Sequence, residues 1–177
     1  MLVYLNPGHD LMKDPGAVND HLQLTEATLA NHLGWAVKDR LEEEGIRVRK
    51  GQSDYLFDIC NDANRCGADL FVSLHFNAFN GHATGTETLV SYTPESVILG
   101  QNIQSRLCNA LELPDRGIKE RMELLVIRAT IMPAVLVETC FIDNDHDIER
   151  YFERKDEVAD AIAQGILAYP GCQQMAA

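Results

Sequence analysis

Asp69-Leu70-Phe71-Val72-Ser73-Leu74-His75 is the stretch on which the fold turns. Its apolar residues run nearly without interruption, the pattern of a central strand covered on both faces. Such strands belong to parallel sheets, which need crossover connections, usually helices. The flanking sequence supplies them. Upstream, Leu24, Ala27, Leu29, Ala30, Leu33, Ala36, Val37 and Leu41 recur at helical spacing, with Thr25 placed to cap and Gly45 to stop the helix. Residues 56–67 read as a second helix ended by Gly67, and residues 2–5 and 46–49 as strands. Residues 10–21 are polar around Pro15-Gly16 and read as a surface loop. Downstream, residues 86–92, 124–127 and 134–137 read as strands, and residues 96–111 and 151–168 contain helices. The alternation predicts an α/β domain: a twisted, mostly parallel central sheet of about six strands, flanked by helices on both faces.

The 177 residues suit one domain, expected over residues 1–170, with residues 171–177 as a flexible tail. With 15 Lys+Arg against 27 Asp+Glu the net charge is −12, which argues against nucleic acid or an anionic membrane as partner. No apolar run approaches the ~18–20 residues that cross a bilayer. Five cysteines (Cys60, Cys66, Cys108, Cys140, Cys172) form no CxxC pair, so neither a zinc ribbon nor a disulfide framework is expected. Met1 leads directly into Leu2-Val3-Tyr4-Leu5, without the basic and long apolar regions of a secretory signal.

Three ionisable residues stand at the ends of apolar runs: His9 after the Pro7-Gly8 turn, His75, and Glu138 after Val135-Leu136-Val137. In open α/β sheets ligands bind beyond the carboxyl ends of the strands, where these three would converge. Two imidazoles there point to a metal. A catalytic zinc takes three protein ligands and keeps one open position. Glu26, in the first turn of the long helix, is the best third ligand, against the reading of a first-turn acid that only complements the helix dipole. Asp10, Asp14, His21, His32 and His82 are competing ligands. Glu138 would then move protons between water and the leaving group.

Asn6-Pro7-Gly8-His9 followed by Asp14-Pro15-Gly16-Ala17 resembles the opening of the zinc-dependent N-acetylmuramoyl-L-alanine amidases. The runs from Ala68 to Ala78 and from Met132 to Glu138, with Arg116-Gly117-Ile118-Lys119 and Val126-Ile127-Arg128 between, resemble that family's second metal motif and its catalytic-glutamate segment. The resemblance covers about residues 3–168. It implies one Zn2+ bound by His9, Glu26 and His75, catalysis by Glu138, and substrate contacts from Asn77 and Arg128. It implies hydrolysis of the amide joining N-acetylmuramic acid to L-alanine in peptidoglycan, by a monomer needing no protein partner. Asn6 stands where the family usually has Asp, Asp10-Leu11 replace Gly-Gly, Ile59 replaces Arg and Cys140 replaces Gly. The first concerns the hydrogen-bond partner behind His9. Only a short loop follows Asn77, so the site is expected to be open without an activator. A lone catalytic domain without an export signal looks like a phage or prophage endolysin, made in the cytoplasm and acting on the wall after release. The alternatives are a zinc carboxypeptidase of stem peptides and a silent wall-binding module.

The charge yields a prediction. A −12 chain gains no surface attraction to an acidic wall, so activity on isolated peptidoglycan should change little between low and physiological salt. A steep fall with salt in a turbidity assay would contradict this.

Overall fold

The computed structural model describes residues 1–173. The chain opens with β1 (Leu2–Pro7), followed by a small antiparallel pair, β2 (Val18–Asn19) and β3 (Leu24–Thr25). Part of the expected 10–21 loop is thus paired. Helix α1 (Glu26–Glu43) begins where Thr25 Oγ1 accepts the Thr28 N–H, and the chain turns away at Gly45 with φ +76°. Then come β4 (Arg47–Lys50), α2 (Leu56–Arg65), β5 (Leu70–Asn77), β6 (Thr86–Val90) and α3 (Pro94–Leu111). The last third holds β7 (Asp115–Glu120), α4 (Leu125–Arg128), β8 (Ala134–Phe141), α5 (Asp145–Glu153), α6 (Lys155–Leu167) and α7 (Pro170–Gln173).

Six strands form one sheet in the order β4-β1-β5-β8-β6-β7. All neighbours are parallel except β6 against β8. The quoted stretch is the centre of this sheet: β5 lies between β1 and β8 and is buried along most of its length. Alternation along the strands splits the core into two layers. Val3, Leu5, Leu74 and Val137 face one way, with Leu33, Leu107 and Ile162 of α1, α3 and α6. Tyr4, Phe71, Ala134 and Leu136 face the other, with Ile59 and Ile127 of α2 and α4. The expected six-stranded, mostly parallel sheet with helices on both faces is therefore the observed one.

Four readings need correction. Residues 124–127, read as a strand, are mostly the helical turn α4; an apolar run this short has no period that separates the two. Strand β7 went unread because its sequence, DRGIKE, lies at the sheet edge and carries only one apolar side chain. Strand β8 continues to Phe141 and β5 to Asn77, so Glu138 and His75 sit within strands and not at their ends. The tail expected from residue 171 begins instead as α7, where the buried Cys172 donates its thiol hydrogen to Ile166 O at 2.9 Å. The remainder of that tail, residues 174–177, lies outside the described residues. All five cysteines are free thiols, and among the described residues no helix is long and apolar enough to cross a membrane.

Candidate metal centre

The parallel pairing of β1 with β5 places their carboxyl ends side by side. Gly8 N–H donates to Leu74 O at 2.8 Å, which carries the chain past the sheet and into His9. His9 adopts φ +63°, a left-handed conformation that few side chains take, and that histidine takes more readily than most. Residues 15–17 then tie themselves to the start of α1: Pro15 O and Ala17 O accept the N–H groups of Ala27 and Glu26 at 3.0 and 2.9 Å. Gln52 closes the arrangement from β4's side, its Nε2 donating to Gly8 O at 3.1 Å and to Ala27 O at 2.9 Å.

Glu26 is the centre of what these ties build. Only 4% of it is exposed. Its Oε2 lies 3.0 Å from His9 Nε2 and accepts the Ala17 N–H at 3.0 Å. Its Oε1 lies 2.8 Å from His75 Nδ1 and accepts the Phe76 N–H at 3.1 Å. Burial alone would raise this carboxyl, but the hydrogen bonds from His75 and His9 override it and hold Glu26 well below the usual range. Behind His9, Asp14 Oδ2 meets Nδ1 at 2.7 Å. With a carboxylate on each ring nitrogen, His9 is raised to about 9, chiefly by its bond to Glu26.

Ligand atoms of His9, Glu26 and His75 all lie within 4.8 Å of one another, the one such group among the described residues. Two imidazole nitrogens and a carboxylate oxygen suit a divalent transition ion, and three protein donors leave a coordination position free. Asp14 supplies the partner expected behind a ligating imidazole: a proton held on Nδ1 leaves the Nε2 lone pair for the ion. That role was not legible at residue 6. Asn6 instead binds Pro7 O, Gly51 O and Ser73.

Glu138 stands in register with His75 on β5 and with Glu87 on β6. Burial pushes its carboxyl up to about 7. Its Oε2 has no hydrogen-bond partner among the described residues. Glu87 is the opposite case. Burial would raise it, yet Lys119 and Arg116 pair with it and hold it below its usual value, so it stays ionised. Asn77 donates to Glu87 Oε1 at 3.1 Å, which commits its amide to that network.

The other expected residues lie elsewhere. Arg128 is exposed at the end of α4 and lines a separate hollow with Tyr92 and Met132. Asp10 accepts the N–H groups of Met12 and Lys13. His21 pairs loosely with Asp145 at 3.4 Å, His32 lines a hollow against Tyr151 and Phe152, and His82 is exposed on its loop. A cavity of about 180 Å³ opens beside His9 and His75, with Asp14, Asp54 and Leu124 also in its wall.

The family described as N-acetylmuramoyl-L-alanine amidase matches residues 3–168. The chain is 38% identical over 176 residues to the uncharacterized protein YqiI of Bacillus subtilis, covering 94% of this chain and 84% of that one. It is 32% identical over 177 residues to the N-acetylmuramoyl-L-alanine amidase LytC of Bacillus subtilis, covering 94% of this chain but only 35% of LytC. The crystal structure of an N-acetylmuramoyl-L-alanine amidase from Clostridium difficile 630 superposes with a TM-score of 0.89 at 30% identity, covering 95% of each chain.

Two predictions test the geometry. A methyl group on Gly8 would lie 2.2 Å from His75 Cε1, so Gly8→Ala must displace that ring. Metal affinity, titrated by calorimetry, should fall roughly 10-fold or more while far-ultraviolet circular dichroism stays unchanged. Equal affinity would show that the ring position does not matter. The second concerns Glu138, whose folded value of about 7 exceeds its ordinary 4.5. The folded state then binds the proton more tightly, so this group's stability contribution falls as pH rises from 4.5 to about 7 and stays lost above. In metal-free protein, Glu138→Gln should therefore raise the urea midpoint at about pH 8 and leave it near wild type at about pH 4. A variant no more stable at the higher pH would contradict a carboxyl held neutral by burial.

Proposed function

The chain belongs to the N-acetylmuramoyl-L-alanine amidase family, and on that premise we propose that it is a zinc-dependent hydrolase of bacterial peptidoglycan. The bond cut is the amide between the lactyl group of N-acetylmuramic acid and the L-alanine of the stem peptide. The observation that carries this reading is the convergence of His9, Glu26 and His75 with Glu138 one strand away in register.

His9, Glu26 and His75 would hold the ion. Bound there, zinc supplies Lewis acidity toward the substrate carbonyl and the attacking water. The chain's own residues do the rest. Asp14 keeps the His9 ring oriented and its Nδ1 protonated, so that Nε2 faces the site. Glu138 takes a proton from the attacking water and returns it to the leaving nitrogen, giving a carboxylic acid and an amine. A carboxyl near 7 suits both halves of that exchange, since it is a useful base and acid at neutral pH. The ionised Glu87 beside it adds to the raising of Glu138, while Arg116 and Lys119 keep Glu87 itself from taking the proton. The catalytic unit covers residues 1–170, works as a monomer and acts at the cell wall.

Mass analysis of muropeptide digests tests the reading. Wild type should bind one zinc and release intact stem peptides from the glycan. Glu138→Gln should keep the zinc and lose at least about 100-fold in turnover, and His75→Ala should lose both. Shortened stem peptides still attached to glycan would identify a carboxypeptidase instead. Full activity in both variants would remove the amidase site from these residues.

A further inference from the structure

Asp54 lies between β4 and α2 and forms part of the wall of the cavity beside His9 and His75. Its Oδ1 is buried and, like Glu138 Oε2, has no hydrogen-bond partner among the described residues. The other polar groups in that wall are committed. Asn6 binds backbone carbonyls and Ser73, Asp14 binds His9 and the Gly16 N–H, and both imidazoles bind Glu26. Asp54 is not one of the three clustered metal ligands. The rest of the wall is apolar, with Leu56, Leu124, Leu125, Val126 and Leu136.

The cavity thus offers one uncommitted carboxylate against a hydrocarbon surface. A carboxyl oxygen such as Oδ1 accepts, so the partner it lacks is a donor that the ligand brings. On the amidase reading, on which this inference rests, the donors on the leaving side nearest the cut bond are the scissile N–H and the peptide N–H that follows L-alanine. The scissile nitrogen changes geometry as its lone pair takes a proton, whereas the second N–H is unchanged by the reaction and offers Asp54 a steady donor. We propose that Asp54 is a substrate-binding residue that accepts the stem-peptide N–H following L-alanine, while the Leu124–Val126 wall receives the alanine methyl group. Such a site disfavours ligands that lack the N–H, because the buried acceptor is then left unpaired.

The test compares a muramoyl-L-alanyl peptide with its analogue N-methylated at the nitrogen after alanine. In wild type the methylated analogue should show a KM roughly 10- to 100-fold higher. Asp54→Ala should show the same rise with the ordinary substrate, no further penalty on N-methylation, and unchanged zinc content and Tm. Asp54→Asn, whose amide oxygen still accepts, should recover part of the affinity and serves if the alanine variant fails to fold. A KM for Asp54→Ala within about twofold of wild type, or an equal N-methyl penalty in both proteins, would overturn the assignment. A wild type that hydrolyses neither compound would instead defeat the amidase reading. Calorimetric binding of the uncleaved peptide to wild type and Asp54→Ala would then still decide on Asp54.

Discussion

The candidate site is built around one buried carboxylate held between two imidazoles. Glu26 has almost no access to water, yet both of its oxygens are occupied: each accepts one backbone N–H and meets one histidine. An ionised carboxylate in such a place is tolerable only when it is this fully paired. The arrangement therefore constrains three elements at once. The α1 helix must start at residue 26, β1 must deliver His9 beside it, and β5 must run far enough to place His75 opposite. Gly8 and Gly16 follow from the same constraint. A Cβ on Gly8 would strike the His75 ring, and one on Gly16 would lie 2.5 Å from His9 Cδ2 and 2.7 Å from Glu26 Oε2.

The second acid, Glu138, stands in register with His75 on the neighbouring strand and in the opposite electrostatic state to Glu26. Its neighbour across β6 is ionised and neutralised by Arg116 and Lys119, while Glu138 has no cation of its own and is raised by burial. Two carboxylates on adjacent strands are thus pushed in opposite directions by their surroundings, one fixed as an anion and one left near neutrality. That division is what the acid–base role proposed for Glu138 requires.

Much of this was legible in the sequence because strong periodic signals sat where the chemistry is. The apolar run ending at His75 identified the central strand, and Thr25 with Gly45 bracketed the helix that carries Glu26. What was not legible depended on tertiary approach. Asp14 reads as one of several loop acids, and only the turn through Pro15 and Gly16 brings it behind His9. Asp54 and Gln52 sit in a polar connection with no pattern, and their significance comes from which atoms they reach or fail to reach. Arg128 follows an apolar turn that looks like a strand, and as the end of a helix it points to a different hollow. Strand β7 was invisible because an edge strand needs no buried alternation, yet it carries the two cations that hold Glu87.

The claim that the rest depends on is that His9, Glu26 and His75 are a metal site and not merely a buried ion-pair cluster. X-ray absorption at the zinc edge, on protein reconstituted with one equivalent of zinc, addresses it most directly. The expected result is a single environment with two imidazole nitrogens and one carboxylate oxygen from the protein, and a spectrum that changes when Glu26 is replaced by Gln. Zinc that binds with a different ligand set, or a spectrum indifferent to Glu26, would contradict it.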